Sequence, residues 1–318
     1  MRDYDGLRQF AEVAATLHFG RAARACHLSP SALSRAIQQL ESELGEQLFE
    51  RGHHHVSLTP AGEAFRRHAN AVLAEWQRFE AERAASGGAL SGMVHMYCTV
   101  TAAQSLVPDL LASVREAHPG IRVQLATGYA TDAIERLRGG DIDVSVAALP
   151  ARLPAGVISQ PVATTPLLFV APRAPGAVAD AVRRRPVDWS TVPLVVPAHG
   201  LAREYTDRWF AGRAVTPAVY AEIEGHEAIL SLVALGCGVG VVPKLVVDNS
   251  ALRHRVAEVR TRPALRPFHI GLCIRERSLA NPLVAAVWEC ASGLDRRQPV
   301  RVERPRQANR ANRTRRVR

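Results

Sequence analysis

The chain has 318 residues, 47% of them hydrophobic, which is enough for two or three domains with sizeable cores and too apolar for wholesale disorder. Its most apolar stretch, 228–243, carries Ser231 and three glycines and is too short and broken to span a membrane; residues 1–10 lack a secretion signal's apolar core, and five scattered cysteines fit reduced thiols in the cytoplasm. The formal net charge of +10 sits mostly in residues 296–318, where ten arginines face one acid, so the other 295 residues carry only +1 and a uniformly basic fold is excluded.

Leu7, Phe10, Ala14 and Leu17 recur at helical spacing. A short Ala-rich helix over 21–26 follows, its Ala22, Ala23 and Ala25 small enough for another helix to approach closely. Ser29-Pro30 is an N-cap followed by proline at the first helical position, and the helix it opens runs to about residue 43. On that helix Leu33, Ile37, Leu40 and Leu44 form the stripe expected to be buried. Ser31, Ser34, Arg35 and Gln38 share a second, polar face. Such a face supplies the donors and acceptors that read base edges in a major groove, with an arginine for phosphate or guanine. Residues 13–40 contain no acid across 28 positions but hold Arg21, Arg24, Arg35, His18 and His27, which suits a phosphate backbone.

Residues 48–51 and 56–58 read as the strands of a hairpin wing around Gly52-His53-His54-His55, again acid-free from 51 to 62. Consecutive strand side chains alternate faces, so three adjacent histidines are badly placed to surround one ion, and no metal site is expected. Thr59-Pro60 repeats the cap-plus-proline start. The long helix beyond it carries Phe65, Ala69, Val72, Trp76 and Phe79 at alternating steps of four and three, the spacing of a helix–helix seam between two copies. Ser86-Gly87-Gly88-Ala89-Leu90-Ser91-Gly92 reads as a flexible hinge.

From residue 93 strand and helix patterns alternate: strand 93–98, a helix to about 118, strand 121–127, helix 131–138 and strand 144–148. This order implies a parallel sheet, whose ligands bind beyond the carboxyl ends of strands. Those ends fall at Thr99 and Thr101, at Thr127-Gly128 and at Ala148. In a second half-domain, strand 194–196 leads through His199 to a helix holding Arg203, and strand 218–223 leads to Gly225-His226-Glu227 and another helix. Strand 269–274 and helix 281–294 return to the first half, so two crossings make a hinged cleft. The domains are expected at 1–58, 59–92 and 93–294, the last split into 93–164 with 266–294 and 165–265, followed by an Arg-rich disordered tail at 295–318. That tail reads either as a solvated extension or as auxiliary nucleic-acid contact. Gly236-Cys237-Gly238-Val239-Gly240 precedes a strand instead of following one, so it is no dinucleotide fingerprint; Gly236 reads as a helix terminator.

The N-terminal residues resemble the LysR-type transcriptional regulators. The resemblance rests on Phe10, on 19–25, on Leu28-Ser29-Pro30-Ser31-Ala32-Leu33-Ser34-Arg35, and on Ile37, Leu40-Glu41, Leu44-Gly45, Leu48-Phe49 and Arg51. Leu58-Thr59-Pro60-Ala61-Gly62 completes it, and it extends to about residue 294. It implies an α+β multi-domain chain: a winged helix-turn-helix, a dimerising linker helix, and an effector domain of two α/β halves like a type 2 periplasmic binding protein. Ser31, Ser34, Arg35 and Gln38 would lie on the recognition helix, Arg21 beside it, and Arg51 on the wing. Within the family, His18-Phe19-Gly20-Arg21, Cys98-Thr99-Val100-Thr101-Ala102-Ala103 and Gly225-His226-Glu227-Ala228 resemble the IlvY-type activators of acetohydroxy-acid isomeroreductase expression. That branch implies 2-acetolactate or 2-aceto-2-hydroxybutyrate as effector, held by Thr99, Thr101, Thr127, Gly128, Ala148, His199, Arg203, His226 and Glu227. The implied partners are promoter DNA, RNA polymerase and further copies of the chain, as homodimer or homotetramer, with no cofactor.

Two other classes stand beside this reading. An enzyme with an appended DNA-binding module is disfavoured, since the α/β part has no G-x-S-x-G, HExxH or paired CxxC. A regulator of the same architecture sensing another small acid, peroxide or a metal is the alternative, with Cys98 read as a small buried hydrophobe instead of a sensor.

Overall fold

A computed structural model describes residues 2–52, 55–85, 90–184 and 186–293. The Arg-rich tail, residues 86–89 of the expected hinge, and His53 and His54 lie outside the described residues.

Three helices, α1 (Arg2–Thr16), α2 (Phe19–Ala25) and α3 (Pro30–Leu44), precede a hairpin of β1 (Phe49–Arg51) and β2 (Val56–Leu58) and the long helix α4 (Pro60–Ala85). Their caps are local. The His18 ring accepts the Gly20 and Arg21 N–H groups, and Ser29 Oγ accepts that of Ala32, so each helix start has donors satisfied by a neighbouring side chain. Phe10, Val13, Leu33, Ile37 and Phe49 make one dry core, each such side chain contributing ~1.5–3 kcal/mol on burial. Two residues on the apolar helical spacings are exposed instead, Leu44 among them against expectation. Leu17 turns outward in the left-handed region at φ 47°, just past α1, and Leu44 occupies the final turn of α3, where Gly45 at φ 71° closes the helix.

The expected seam on α4 divides. Phe65 packs edge-on against Phe10 at 4.8 Å and Ala69 is fully buried, so both belong to their own domain. Val72, Trp76 (47% exposed) and Phe79 (54%) lie in the open; Tyr4 approaches Trp76 at 5.5 Å.

The remainder forms two five-stranded sheets. The first holds β3 (Ser91–Cys98), β4 (Gly120–Thr127), β5 (Val144–Ala148), β6 (Val157–Thr165) and, from much later, β12 (Phe268–Arg275), in the order β4-β3-β5-β12-β6. The second holds β7 (Leu167–Pro172), β8 (Pro193–Pro197), β9 (Ala218–Ile223), β10 (Val239–Pro243) and β11 (Val256–Val259), in the order β11-β7-β10-β8-β9. The chain passes between sheets at Pro166 and again between Val259 and Phe268. Strands β3, β4 and β5 are parallel, as βαβ connections require, whereas β12 runs antiparallel to both neighbours. The helices between strands are α5 (Val100–Ser105), α6 (Val107–Ala117), α7 (Ala130–Gly139), α8 (Ala177–Arg183), α9 (Gly200–Ala211), α10 (His226–Ala234) and α11 (Lys244–Asn249); α12 (Pro282–Ser292) packs back on the first sheet.

One helix expected between the first two strands is broken into α5 and α6. Pro108, at the start of α6, has no N–H to donate and its ring crowds the preceding turn. The break shortens α5 to six residues and lets its first turn face inward. Gly236, at φ 90°, ends α10 as expected.

Candidate nucleic-acid interface and ligand cleft

Helix α3 presents its polar face to solvent. Ser31, Arg35 and Gln38 are exposed and Ser34 is half-buried, while Leu33 and Ile37 on the opposite side anchor the helix. Arg35 has no ion pair among the described residues. Arg21 is exposed on α2, its guanidinium donating to the Thr16 carbonyl at 3.0 Å. Arg51 is more constrained than its place on the wing implied. Its guanidinium pairs with Glu41 at 3.0 Å and lies 5.1 Å over the Phe19 ring. The other oxygen of Glu41 accepts the Leu48 and Phe49 N–H groups at 2.9 and 3.1 Å. Glu41 therefore ties the wing to the recognition helix, a role that a long-range carboxylate–backbone contact leaves invisible in sequence.

A cleft of about 470 Å³ opens between the two sheets, within the range of small-molecule sites. Thr99, Thr101, Gly128, Ala148, His199, His226 and Glu227 line it. Each follows a strand end, and the first turns of α5, α7, α9 and α10 converge there. Among these, α7, α9 and α10 have no side-chain cap, so first-turn N–H groups remain for a ligand.

Two expected residues do not line the cleft. Thr127 ends the edge strand β4, paired with Cys98, and its side chain is exposed; the chain turns inward only at Gly128. Arg203 is neutralised outside it, pairing with Asp207 at 2.9 Å and Glu222 at 2.8 Å and donating to the Pro197 carbonyl. No lysine or arginine lines the cleft among the described residues, whereas Glu204, Glu224 and Glu227 do.

Two contacts span the cleft. Thr101 Oγ1 donates to Glu227 Oε1 at 2.5 Å, from α5 of the first half to α10 of the second. The Tyr129 ring meets His199 edge-on at 6.0 Å, and both residues hydrogen-bond Glu224, holding its carboxyl below the usual carboxylate range. Tyr129, Glu224 and Phe268 escaped the sequence reading because strand-end position alone does not tell which of two adjacent side chains points inward.

His226 is half-buried in the cleft wall. Its Nδ1 is buried without a partner among the described residues, its ring lies 6.2 Å from Phe268, and burial pushes its pKa down to about 4. The ring is therefore neutral at pH 7. Between pH 6.5 and about 4 the unfolded chain binds a proton that the folded chain refuses. Stability should fall as pH drops through that window, by at most about 1.4 kcal/mol per pH unit. His226→Gln is expected to flatten urea-unfolding stability between pH 7 and 5; an undiminished slope would assign it to other groups.

Burial also pushes the Cys98 and Cys273 thiols up to about 11, far from the range of a reactive thiolate. No cluster of metal-ligating side chains occurs among the described residues. No helix of the described residues is long and apolar enough to cross a membrane.

Helix α7 links the cleft to the N-terminal module. It starts with Ala130 and Thr131 in the cleft wall and ends at Gly139. There Asn70 of α4 donates to the Gly139 carbonyl and to Asp141, both at 2.9 Å, and Arg66 of α4 pairs with Asp141 at 3.1 Å.

Residues 4–63 match the family model described as bacterial regulatory helix-turn-helix protein, lysR family, and residues 87–294 match the LysR substrate binding domain. The chain is 39% identical over 290 residues to the HTH-type transcriptional regulator IlvY of Escherichia coli, covering 90% of this chain and 98% of that one. It is 33% identical to the HTH-type transcriptional activator IlvY of Haemophilus influenzae, with the same coverage. Among solved structures, a full-length OxyR variant from Pseudomonas aeruginosa shares the fold, with a TM-score of 0.63, 24% identity, and coverage of 92% of this chain and 94% of that one. These relatives are transcription regulators, not enzymes. With a helix-turn-helix, a long connecting helix and a two-sheet cleft in one chain, the protein belongs to the LysR family of transcriptional regulators.

Proposed function

We propose that the protein activates the gene for acetohydroxy-acid isomeroreductase, in isoleucine and valine synthesis, when 2-acetolactate or 2-aceto-2-hydroxybutyrate enters the cleft. The carrying observation is one cleft of small-molecule size bridged from both halves by Thr101 and Glu227. Similarity to the IlvY regulators over nearly their whole length supports the choice of pathway.

In this reading residues 1–58 bind promoter DNA, 59–92 link, and 93–294 sense. Arg21, Ser31, Ser34, Arg35, Gln38 and Arg51 face the DNA. The exposed Val72, Trp76 and Phe79 are covered by the same helix of a second copy, and two such dimers pair on the promoter, where they meet RNA polymerase in the cytoplasm. Thr99, Thr101, Gly128, Ala148, His199, His226 and Glu227 surround the effector; first-turn amides and neutral His226 take its carboxylate and carbonyl oxygens in place of a cationic side chain. An effector that binds the closed cleft better shifts the two halves together. Closure displaces α7, and the Asn70 and Arg66 contacts carry that displacement to α4.

Nuclease footprinting of the purified protein on DNA upstream of its own gene, with and without 2-acetolactate, tests this. The expected result is a footprint whose extent or hypersensitive bands change with the ligand. A footprint indifferent to 2-acetolactate and 2-aceto-2-hydroxybutyrate would overturn the effector and leave the family.

A further inference from the structure

The cleft contains an anion where an anionic effector must bind. Glu227 follows His226 directly on α10, and among the described residues its carboxylate is hydrogen-bonded by the Thr101 hydroxyl across the cleft. An ionised carboxylate only accepts hydrogen bonds. It welcomes a hydroxyl and repels a ligand carboxylate, the more so where protein walls displace water. The neighbouring His226 has the opposite disposition, with a buried Nδ1 that lacks a partner among the described residues, beside first-turn N–H groups that no described side chain caps. Adjacent residues thus offer an acceptor and donors side by side.

We propose that Glu227, positioned by Thr101, reads a hydroxyl group on the effector and forces the effector's carboxylate toward His226 and the amides of α10. The matching ligand class is a 2-hydroxy acid bearing its hydroxyl and carboxylate on one carbon. This inference rests on the proposed binding of an acetohydroxy acid in the cleft. The hydroxyl joins or replaces Thr101 on Glu227, so only a ligand able to donate there leaves that carboxylate hydrogen-bonded once the ligand is seated beside it.

The test uses the full-length protein and titration calorimetry with two probes, 2-acetolactate and its deoxy counterpart 2-methylacetoacetate. Wild type is expected to prefer the hydroxylated probe about 10- to 100-fold, as a hydrogen bond to a charged group implies. In Glu227→Gln, whose amide can donate to a carboxylate as well as accept, the preference should fall to a few-fold. Thr101→Ser, which keeps the hydroxyl, should retain most of it. Equal wild-type affinity for both probes would overturn the hydroxyl reader while leaving the cleft assignment intact, and this comparison needs no variant to fold. An undiminished preference in folded Glu227→Gln would also overturn it. Binding of neither probe would instead bring down the acetohydroxy-acid reading itself.

Discussion

Replacing Arg35 by alanine should lower affinity for the specific promoter site about 10- to 100-fold, the ~1–3 kcal/mol expected of an arginine that reads a base edge. The side chain is exposed and free of ion pairs among the described residues, and its helix is anchored by Leu33 and Ile37 on the other face. Truncation therefore leaves the packing intact, and binding of 2-acetolactate should be unaffected. Fluorescence anisotropy at fixed salt, on specific and on scrambled duplexes, separates two modes. A base contact costs affinity mainly on the specific duplex. A phosphate contact costs it on both and lowers the salt dependence by about one counterion. Unchanged affinity on both would remove Arg35 from the interface, and loss of both DNA and effector binding would make it structural.

Gly62→Ala should damage the N-terminal module more than any single side-chain truncation on its surface. A Cβ there would lie 2.0 Å from the Leu48 carbonyl oxygen and 3.0 Å from a Leu58 methyl. The backbone carbonyl cannot yield. The Leu48 carbonyl accepts the Thr59 N–H at 3.0 Å, Leu48 is buried, and Thr59 holds the Gln47 carbonyl and the Gly62 N–H through its hydroxyl. The backbone of α4 must separate from the wing, at a cost of about 3 kcal/mol or more, in the upper range for overpacking. Gly6→Ala is the matched control: nothing lies within 4 Å of its Cβ position in α1, so it should stabilise by roughly 0.5–1 kcal/mol. Calorimetric unfolding of the two variants distinguishes them, and equal melting would remove the steric account.

Much of the N-terminal module was legible because its determinants are local. Ser29 and Pro30 start α3 and Gly45 closes it through bonds made within four residues, and the spacing of Leu33 and Ile37 dictates which side is buried. Periodicity failed at helix ends. Leu17 and Leu44 keep the apolar spacing, yet Leu17 follows the end of α1 in the left-handed region and Leu44 is the last residue of α3, and both are exposed. On α4 one continuous pattern serves the module's own core as far as Ala69, and beyond it Val72, Trp76 and Phe79 lie in the open.

The cleft was legible only in part. Strand-end reasoning reached Thr99, Thr101, Gly128, His199, His226 and Glu227, because a parallel sheet places its ligands beyond those ends. It misdirected Arg203, whose charge looked suited to an anionic ligand. Where a flexible arginine points depends on which carboxylates the fold brings near, and β9 supplies Glu222 from nineteen residues away. Among the described residues the cleft thus presents backbone amides and a neutral histidine, with no side-chain cation.

Residue spacing was sufficient for the caps, the buried stripes of helix interiors and the succession of β3, β4 and β5, since each depends on neighbours within a few positions. The meeting of Thr101 with Glu227, 126 residues apart, and of Asn70 with Asp141, 71 apart, depended on the folded chain. The chain's two crossings between the sheets bring Thr101 to Glu227, the packing of α4 beside the end of α7 brings Asn70 to Asp141, and no local propensity encodes a contact whose partners share only a tertiary surface.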